Sequence, residues 1–195
     1  MHTSNFEKHT EKNPISKFFL DNFYKKLLSQ LQNLHPETIL DVGAGEGFTL
    51  QKLKDRGIGK RLEGIEYLDE AIEIAKKLHT TITIKKGNIY TLPYGNNSFD
   101  VVICTEVLEH LDDPEKGLSE LVRVTKRSCV LSVPNEPLFT IQRFFRGKNL
   151  LQLGDHPEHI QHWSKKSFEE FVSTKLKIVT TQTPIPWTLI VGEKD

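Results

Sequence analysis

Residues Leu40–Phe48 read LDVGAGEGF, and the interpretation of the whole sequence begins with this stretch. Three glycines, Gly43, Gly45 and Gly47, fall within five positions directly after the apolar run Thr38–Val42. Glycines this dense allow a backbone to approach a ligand closely. The spacing differs from the dinucleotide-binding pattern GxGxxG, because the third glycine comes one residue early. No Gly-Lys-Ser/Thr follows the loop, which excludes a P-loop.

An acidic residue follows the glycine loop at the distance expected of a ribose-binding group. Glu66 falls near the end of the predicted second strand, Arg61–Tyr67, about 20 residues after Gly47. A carboxylate at this position can accept hydrogen bonds from both ribose hydroxyls and would repel a 2′-phosphate. The loop and Glu66 together therefore predict a site for an adenosyl compound with a group other than pyrophosphate beside its ribose.

Composition indicates one folded domain that spans residues 1–195. Hydrophobic residues make up 37% of the chain and charged residues 27%, as in soluble globular proteins. The chain has 26 basic and 26 acidic residues, and this balance disfavours nucleic acid as a partner. No apolar run is long enough for a signal peptide or a membrane span. We expect a cytoplasmic protein, monomer or homodimer, with Cys104 and Cys129 as buried free thiols.

Capping residues and apolar periodicity predict strands that alternate with helices. Asn13-Pro14, Asp69, Asp113-Pro114 and Ser164 are expected to begin helices. The predicted strands are 38–42, 61–67, 80–84, 99–104, 129–133, 177–181 and 187–191. Strand–helix alternation of this kind predicts a mostly parallel sheet with helices on both faces. Ligands of such sheets bind beyond the carboxyl ends of the strands, where the glycine loop and Glu66 fall.

Four segments then resemble the class I S-adenosylmethionine-dependent methyltransferases, in particular small domains of the type 11 kind. They are LDVGAGEG, GIEYLDEAIEIAKK, KGNIYTLPYGNNSFDVVICTEVLEHLDDP and VLSVPNEP, and they follow the family's order over most of residues 37–137. The resemblance implies S-adenosylmethionine as the cofactor. It also implies an α/β fold, a three-layer Rossmann-like sandwich whose seven-stranded, mostly parallel sheet has the order 3-2-1-4-5-7-6, with strand 7 antiparallel.

The same resemblance implies a set of cofactor-binding residues. They are Asp41, Gly43, Gly45, Gly47, Glu66, Tyr67, Asn88, Ile89 and Thr105. Glu66 would hold the ribose hydroxyls, and Tyr67 and Asn88 would lie beside the adenine. Many family members have aspartate where this chain has Asn88, but the amide carbonyl can still accept a hydrogen bond. The glycine loop and Thr105 would line the methionine part.

The segment Glu-Val-Leu-Glu-His after the fourth predicted strand supplies the candidate catalytic groups. Methyl transfer to a hydroxyl or amine requires alignment of the acceptor and removal of a proton, and we expect Glu106 and His110 to contribute. If a helical turn begins there, Glu106, Glu109 and His110 point to one side. Two carboxylates and an imidazole could then bind a divalent metal or act as a general base and polar packing.

This segment is similar to those of ubiquinone-pathway O-methyltransferases and small-RNA 3′-end 2′-O-methyltransferases, in which the matching residues bind a metal. Similar segments also occur in methyltransferases without a metal, so both readings stay open. The stretch GDHPEHIQHWS adds His156, His159 and His162. His159 is a third catalytic candidate and a possible further metal ligand, because His159-x-x-x-Trp163 is similar to the RNA-end enzymes. These histidines could instead shape a lid or, less plausibly, bind zinc alone.

Two segments are left to surround the substrate, an N-terminal helical cap of residues 1–35 and a lid of residues 136–163. The lid alternates aromatic and basic residues, which suits an acceptor with an apolar body and an anionic group, or simple packing. We expect S-adenosylmethionine-dependent methyl transfer to a small molecule, on oxygen. The alternatives are a metal-assisted RNA-end 2′-O-methyltransferase and a protein that binds the cofactor without turnover.

Overall fold

The computed structural model describes residues 4–10, 13–79, 81–136 and 160–195. The helices within these ranges are α1 Ser4–Thr10, α2 Pro14–Leu34, α3 Phe48–Asp55, α4 Asp69–Leu78, α5 Pro114–Val124 and α6 Lys165–Ser173, with a 3₁₀ turn at Leu108–His110. The strands are β1 Thr38–Val42, β2 Arg61–Glu66, β3 Thr83–Lys86, β4 Phe99–Thr105, β5 Thr125–Pro134, β6 Lys177–Gln182 and β7 Trp187–Glu193. The greater part of the predicted lid, residues 137–159, lies outside the described residues.

The seven strands form one sheet in the order β3-β2-β1-β4-β5-β7-β6. β1 to β5 run parallel to one another, because helices connect most of them. β7 is antiparallel to both β5 and β6. The fold class predicted from the sequence, including the antiparallel seventh strand, is therefore confirmed. The carboxyl ends of β1, β2, β4 and β5 meet at one edge of the sheet, where the glycine loop leaves β1.

Apolar side chains fill both faces of the sheet. On one face α2 and α3 bury residues such as Leu27, Leu31 and Leu50 against Ile103 and Val130, which are among the fully buried residues. The other face packs against α5 and α6, and its core includes Leu118, Leu121, Val102, Leu131 and Phe168. The continuous apolar runs of β4 and β5 follow from this double burial, because a strand covered on both faces has no polar side.

Most of the predicted helix starts are confirmed. Asn13 accepts hydrogen bonds from Ile15 N and Ser16 N, and Asp113 accepts one from Lys116 N. Ser164 forms a capping box with Ser167.

One predicted helix start is wrong by a residue. The N-cap of α4 is Leu68, and Asp69 is the first residue of the helix. No side chain forms a capping hydrogen bond at this helix start. The Asp69 carboxylate instead accepts a hydrogen bond from Lys86 on β3.

Two strand boundaries also differ from the prediction. β3 begins at Thr83 because its pairing with β2 begins at the pair Glu63–Thr83, whereas Ile82 N is bonded to His79 O. β5 is longer than predicted and starts at Thr125, which pairs with Phe99. Exposed polar residues follow Thr125, so a search for an apolar run does not detect this part of the strand.

Two expectations from composition can be compared with the described residues. None of the helices described here is both long enough and apolar enough to cross a membrane. Cys104 and Cys129 are buried free thiols, and burial raises the pKa of each. Both thiols therefore remain protonated and act as apolar packing groups.

Gly64, in the middle of β2, provides a test of how tightly the site end of the sheet is packed. A Cβ at this position would lie 2.9 Å from both Ala44 Cβ and Leu50 Cδ1. We expect Gly64→Ala to lower the free energy of unfolding by about 1–3 kcal/mol, measured by urea denaturation. The control is Gly95→Ala, where the nearest atom, Ser98 Oγ, is 3.7 Å away. Equal stability of the two variants would contradict the close packing described here.

Candidate cofactor and acceptor site

The glycine loop turns sharply at the end of β1 and lies against β2 and β4. Gly43 N and Ala44 N both donate to Ile65 O, at 2.8 and 3.0 Å. Gly43, Gly45 and Gly47 have φ values of 77°, 53° and 83°, a region that L-residues rarely adopt. A Cβ on Gly43 would also lie 2.2 Å from Val107 Cγ2. The loop therefore requires glycine for both its backbone conformation and its contact with the residues after β4.

Glu66 fastens the glycine loop to the second strand. Its Oε2 accepts a hydrogen bond from Gly45 N at 2.8 Å, and its Oε1 accepts from Tyr67 N at 2.7 Å and Leu68 N at 2.8 Å. The side chain is buried, and three backbone donors fix the orientation of its carboxylate. A carboxylate with about four acceptor positions keeps capacity for a hydroxyl donor at this edge of the sheet.

Asp41 precedes the loop as a buried carboxyl group at the end of β1. Burial, and secondarily the negative charge of Glu66, raises the pKa of Asp41 to about 7. The group is therefore close to half ionised at neutral pH. A cationic ligand in the loop would favour the ionised form, because an opposite charge offsets part of the desolvation cost.

Helix α1 covers the glycine loop, a contact that the sequence did not predict at residue level. Asn5 Nδ2 donates to Glu46 Oε2, and a Cβ on Gly45 would lie 2.7 Å from the same amide nitrogen. His9 stacks on Phe48 with ring centroids 4.1 Å apart and contacts Tyr24 Oη through Nε2 at 2.7 Å. Glu46 is fully buried in this arrangement. The amino-terminal residues therefore form one wall of the site.

The residues expected beside adenine lie at the ends of β2 and β3. Tyr67 is 65% exposed with Lys86 Nζ 5.6 Å from its ring centre. Asn88 is exposed, and its Oδ1 accepts a hydrogen bond from Tyr90 N at 2.9 Å. Ile89 is buried in the core. Thr105 is half-buried at the last position of β4, which is the edge of the sheet that also carries the loop.

The condition under which Glu106, Glu109 and His110 would share one face, a helical turn that begins at Glu106, is not met. The turn is a 3₁₀ turn that begins at Leu108, and Glu106 precedes it with a φ of 59°. Glu109 is buried beneath the turn, whereas His110 is half-exposed. The spacing i, i+3, i+4 gives a common face only in a continuous α-helix, so the argument for a shared face does not apply to these three residues.

Glu106 instead contacts the ends of β5 and β7. Its Oε1 accepts a hydrogen bond from Ser132 Oγ at 3.3 Å, and its Oε2 accepts one from the indole Nε1 of Trp187. Its backbone N donates to Ser132 O at 3.0 Å. Ser132 and Trp187 are thus functional candidates that sequence reasoning missed, since they lie far from Glu106 along the chain.

The predicted metal ligands can be compared only in part. Across residues 4–10, 13–79, 81–136 and 160–195, no group of three or more His, Cys, Asp or Glu side chains is arranged to hold a metal ion. His156 and His159 lie outside the described residues. His162 is exposed just before Trp163, whose backbone pairs with Asn135.

Residues 40–133 match the methyltransferase-domain family. The matched segment contains the glycine loop, Glu66 and the residues after β4. With the strand order and the loop geometry described above, this match decides the family. The chain carries a class I methyltransferase domain.

Several known proteins are similar to this methyltransferase domain. It is 31% identical over 149 residues to 2-methyl-6-phytyl-1,4-hydroquinone methyltransferase 2 of Oryza sativa subsp. japonica, covering 71% of this chain and 40% of that protein. It is 28% identical over 140 residues to the demethylmenaquinone methyltransferase of Thermotoga maritima, covering 69% of this chain and 61% of that protein. The chain therefore spans between two fifths and three fifths of these relatives' lengths.

The solved structures give the same fold at lower identity. Magnesium protoporphyrin IX methyltransferase from Synechocystis PCC 6803, with bound SAH, superposes with a TM-score of 0.69 at 16% identity. The superposition covers 99% of this chain and 95% of that chain. At this identity the likeness concerns the fold of the methyltransferase domain.

The residues around the loop suit S-adenosylmethionine. Gly43, Gly45 and Gly47 carry no side chain of their own that would keep a ligand away from the backbone of the loop. The oriented Glu66 carboxylate is placed to accept ribose hydroxyls, and Asp41 offers negative charge to a cationic centre. The residues that would hold the cofactor are Asp41, Gly43, Gly45, Gly47, Glu66, Tyr67, Asn88, Ile89 and Thr105, as the sequence resemblance implies.

The assignment of Glu66 to the ribose is tested by Glu66→Ala. The loss of charge-assisted hydrogen bonds is expected to weaken S-adenosylhomocysteine binding at least about tenfold, measured by isothermal titration calorimetry. Glu70→Ala, an exposed carboxylate on α4, serves as the matched control and should bind with unchanged affinity. An unchanged affinity of the Glu66 variant, with its fold verified by circular dichroism, refutes the assignment.

The buried carboxyl group of Asp41 predicts a specific dependence of stability on pH. Its pKa is about 7 in the folded protein against an ordinary value of 3.8, so the folded state binds more protons between these values. Stability due to this group therefore falls as the pH rises towards 7 and stays low above it. Asp41→Asn removes this loss.

We expect the melting temperature of Asp41→Asn to exceed that of the wild type at pH 8 by more than it does at pH 5. Differential scanning calorimetry without ligand at the two pH values measures this difference. Asp21→Asn, an exposed carboxylate on α2, is the control. If the two melting temperatures differ by the same amount at both pH values, Asp41 does not have the raised pKa.

Proposed function

We propose that this domain transfers the methyl group of S-adenosylmethionine to a small apolar phenol, an acceptor of the hydroquinone type. The observation that carries the proposal is the position of the Glu106 carboxylate. It lies at the carboxyl end of β4, beside the glycine loop, and at the inner end of a series of aromatic side chains. A base beside the cofactor loop and an apolar wall next to it suit an acceptor with an acidic O–H on an aromatic ring.

The aromatic wall runs from the site to the surface along α2. Trp187 packs against Phe23 with ring centroids 5.1 Å apart. Phe19 lies one turn before Phe23 on the same helix face and packs against the same core cluster. Phe18 is 68% exposed, and its ring centroid lies 5.8 Å from that of Phe19. A flat apolar acceptor could lie along these rings, because aromatic pairs favour offset or tilted contacts.

Proton removal defines the role of Glu106. When bound, S-adenosylmethionine supplies a methyl group on a sulfonium, so the acceptor must provide the electron pair for the new bond and lose a proton. Glu106 accepts the phenolic proton as the bond to methyl forms and the bond to sulfur breaks. Removal of this proton activates both the phenol oxygen and the adjacent ring carbon. The oxygen is the acceptor atom that we propose, in line with the expectation from the sequence.

The relatives support this class of acceptor. Proteins named for 2-methyl-6-phytyl-1,4-hydroquinone and for demethylmenaquinone are among those that match the chain. Other matches are named for alkaloids, as in ajmaline N-methyltransferase of Rauvolfia serpentina. The Glu106 carboxylate and the aromatic wall favour the hydroquinones, because these acceptors have an apolar ring and a hydroxyl proton that Glu106 can accept.

The direct test incubates the purified protein with S-adenosylmethionine and reduced 1,4-naphthohydroquinone, and follows S-adenosylhomocysteine formation. We expect methylated product, whose mass and nuclear magnetic resonance spectrum distinguish O-methyl from ring C-methyl. Glu106→Gln should lower kcat by about 100-fold or more and leave the affinity for S-adenosylhomocysteine unchanged. Glu170→Gln, an exposed carboxylate on α6, is the control.

A second incubation uses cofactor labelled in the methyl group and fractions of a cell extract. Label in the lipid or small-molecule fraction supports the proposal, and label confined to RNA or protein contradicts it. An excess of chelator in the same reactions decides the role of a metal. Loss of turnover that magnesium or manganese restores would favour the metal-assisted alternative.

A further inference from the structure

Glu106 has a backbone conformation that local sequence does not explain. Its φ of 59° lies in the left-handed region, which costs an L-residue about 1–2 kcal/mol. His35 and Asn97 share this conformation within the described residues, but His35 ends a helix and Asn97 lies in a turn. At Glu106, surrounding contacts must stabilise the strained backbone, and such positions are typical of functional sites.

Those contacts act on the carboxylate as well as on the backbone. The carbonyl oxygen of Ser132, near the end of β5, accepts a hydrogen bond from the backbone N–H of Glu106. The hydroxyl group of Ser132 donates to Glu106 Oε1. The Trp187 indole holds Oε2. Each carboxylate oxygen thus has a donor from a different strand. An indole N–H can only donate, so Glu106 Oε2 is the acceptor in this contact.

The indole is itself held firmly in place. Trp187 is only 5% exposed and packs against Phe23 of α2. It is the first residue of β7, where it pairs with Pro134 and donates its backbone N–H to Pro184 O at 2.9 Å. The direction of the indole N–H is therefore set by the sheet and by α2, and not by a mobile loop.

We propose that Trp187 is a positioning residue for methyl transfer. Its indole N–H, together with the Ser132 hydroxyl, holds the Glu106 carboxylate at the edge of the sheet, so that the carboxylate faces the O–H of the acceptor. This inference rests on the proposed function of Glu106 as the proton acceptor. A carboxylate held by fixed donors loses little conformational entropy when the acceptor binds, and its orientation is established before the reaction.

The contact is tested first without any acceptor. The chain has two tryptophans, so the ¹H–¹⁵N spectrum of the indole groups has two signals, which Trp163→Phe assigns. Glu106→Gln should move the Trp187 indole signal and leave that of Trp163 in place, because the charged partner is lost. Glu70→Gln should move neither signal. An unmoved Trp187 signal in Glu106→Gln overturns the proposal, whatever the outcome of the activity assay.

The functional consequence is tested by a double-mutant cycle with 1,4-naphthohydroquinone as acceptor. Trp187→Phe keeps an aromatic ring but removes the N–H, and we expect kcat to fall about tenfold or more. In the Glu106→Gln background the same substitution should change kcat by less than about twofold, since the two residues act through one interaction. The affinity for S-adenosylhomocysteine should stay constant across all four proteins.

Two results contradict the positioning role. An equal loss of kcat from Trp187→Phe in both backgrounds means that Trp187 contributes only packing. Unchanged kcat in Glu106→Gln removes Glu106 from proton transfer and overturns this proposal, whereas methylation of the hydroquinone by the wild type still supports the acceptor class. If Trp187→Phe unfolds, Ser132→Ala replaces it in the cycle, because it removes the second donor to the same carboxylate.

Discussion

The structure of the site depends on one carboxylate that joins three backbone segments. Glu66 accepts hydrogen bonds from Gly45, Tyr67 and Leu68, so it ties the glycine loop to the end of β2 and to the start of α4. A buried carboxylate is tolerated only when donors satisfy it, and here the donors are backbone groups that cannot leave without a change of fold. The loop conformation and the start of α4 are therefore both stabilised by hydrogen bonds to the carboxylate that we expect to bind the ribose.

Around this carboxylate the chain gathers more negative charge than stability alone would favour. Burial raises the pKa of Tyr24, and the negative charges of Asp41, Glu46 and Glu106 raise it further. The charge of Glu66 likewise raises the pKa of Asp41, so negative charges in this region repel one another. A site that binds a cationic sulfonium gains from the same field, because the ligand charge offsets the repulsion. The same charges would therefore both lower the stability of the folded protein and favour a cationic cofactor.

The sequence predicted what local patterns encode and missed what distant residues contribute. The glycine loop and the placement of Glu66 after it follow from spacing within about 30 residues, the scale of a βαβ unit, whereas the strand order was implied by the resemblance to the methyltransferase family. The contacts of Asn5 with Glu46 and of Trp187 with Glu106 join residues far apart in the chain, and no periodicity specifies such pairs. The shared face considered for Glu106, Glu109 and His110 depended on an α-helical turn, but the chain has a left-handed residue followed by a 3₁₀ turn at these positions.

The antiparallel direction of β7 explains how Trp187 comes to lie at the edge of the sheet that carries the glycine loop and Glu106. In a parallel sheet only carboxyl ends of strands and the loops after them approach a ligand, so each strand contributes its last residues. β7 runs in the opposite direction between β5 and β6, and its first residue, Trp187, lies beside Pro134 at the end of β5. A residue inside a strand is held more rigidly than one on a loop. The reversal of β7 thus allows the fold to place a second rigid donor beside Glu106, in addition to Ser132 of the parallel strand β5.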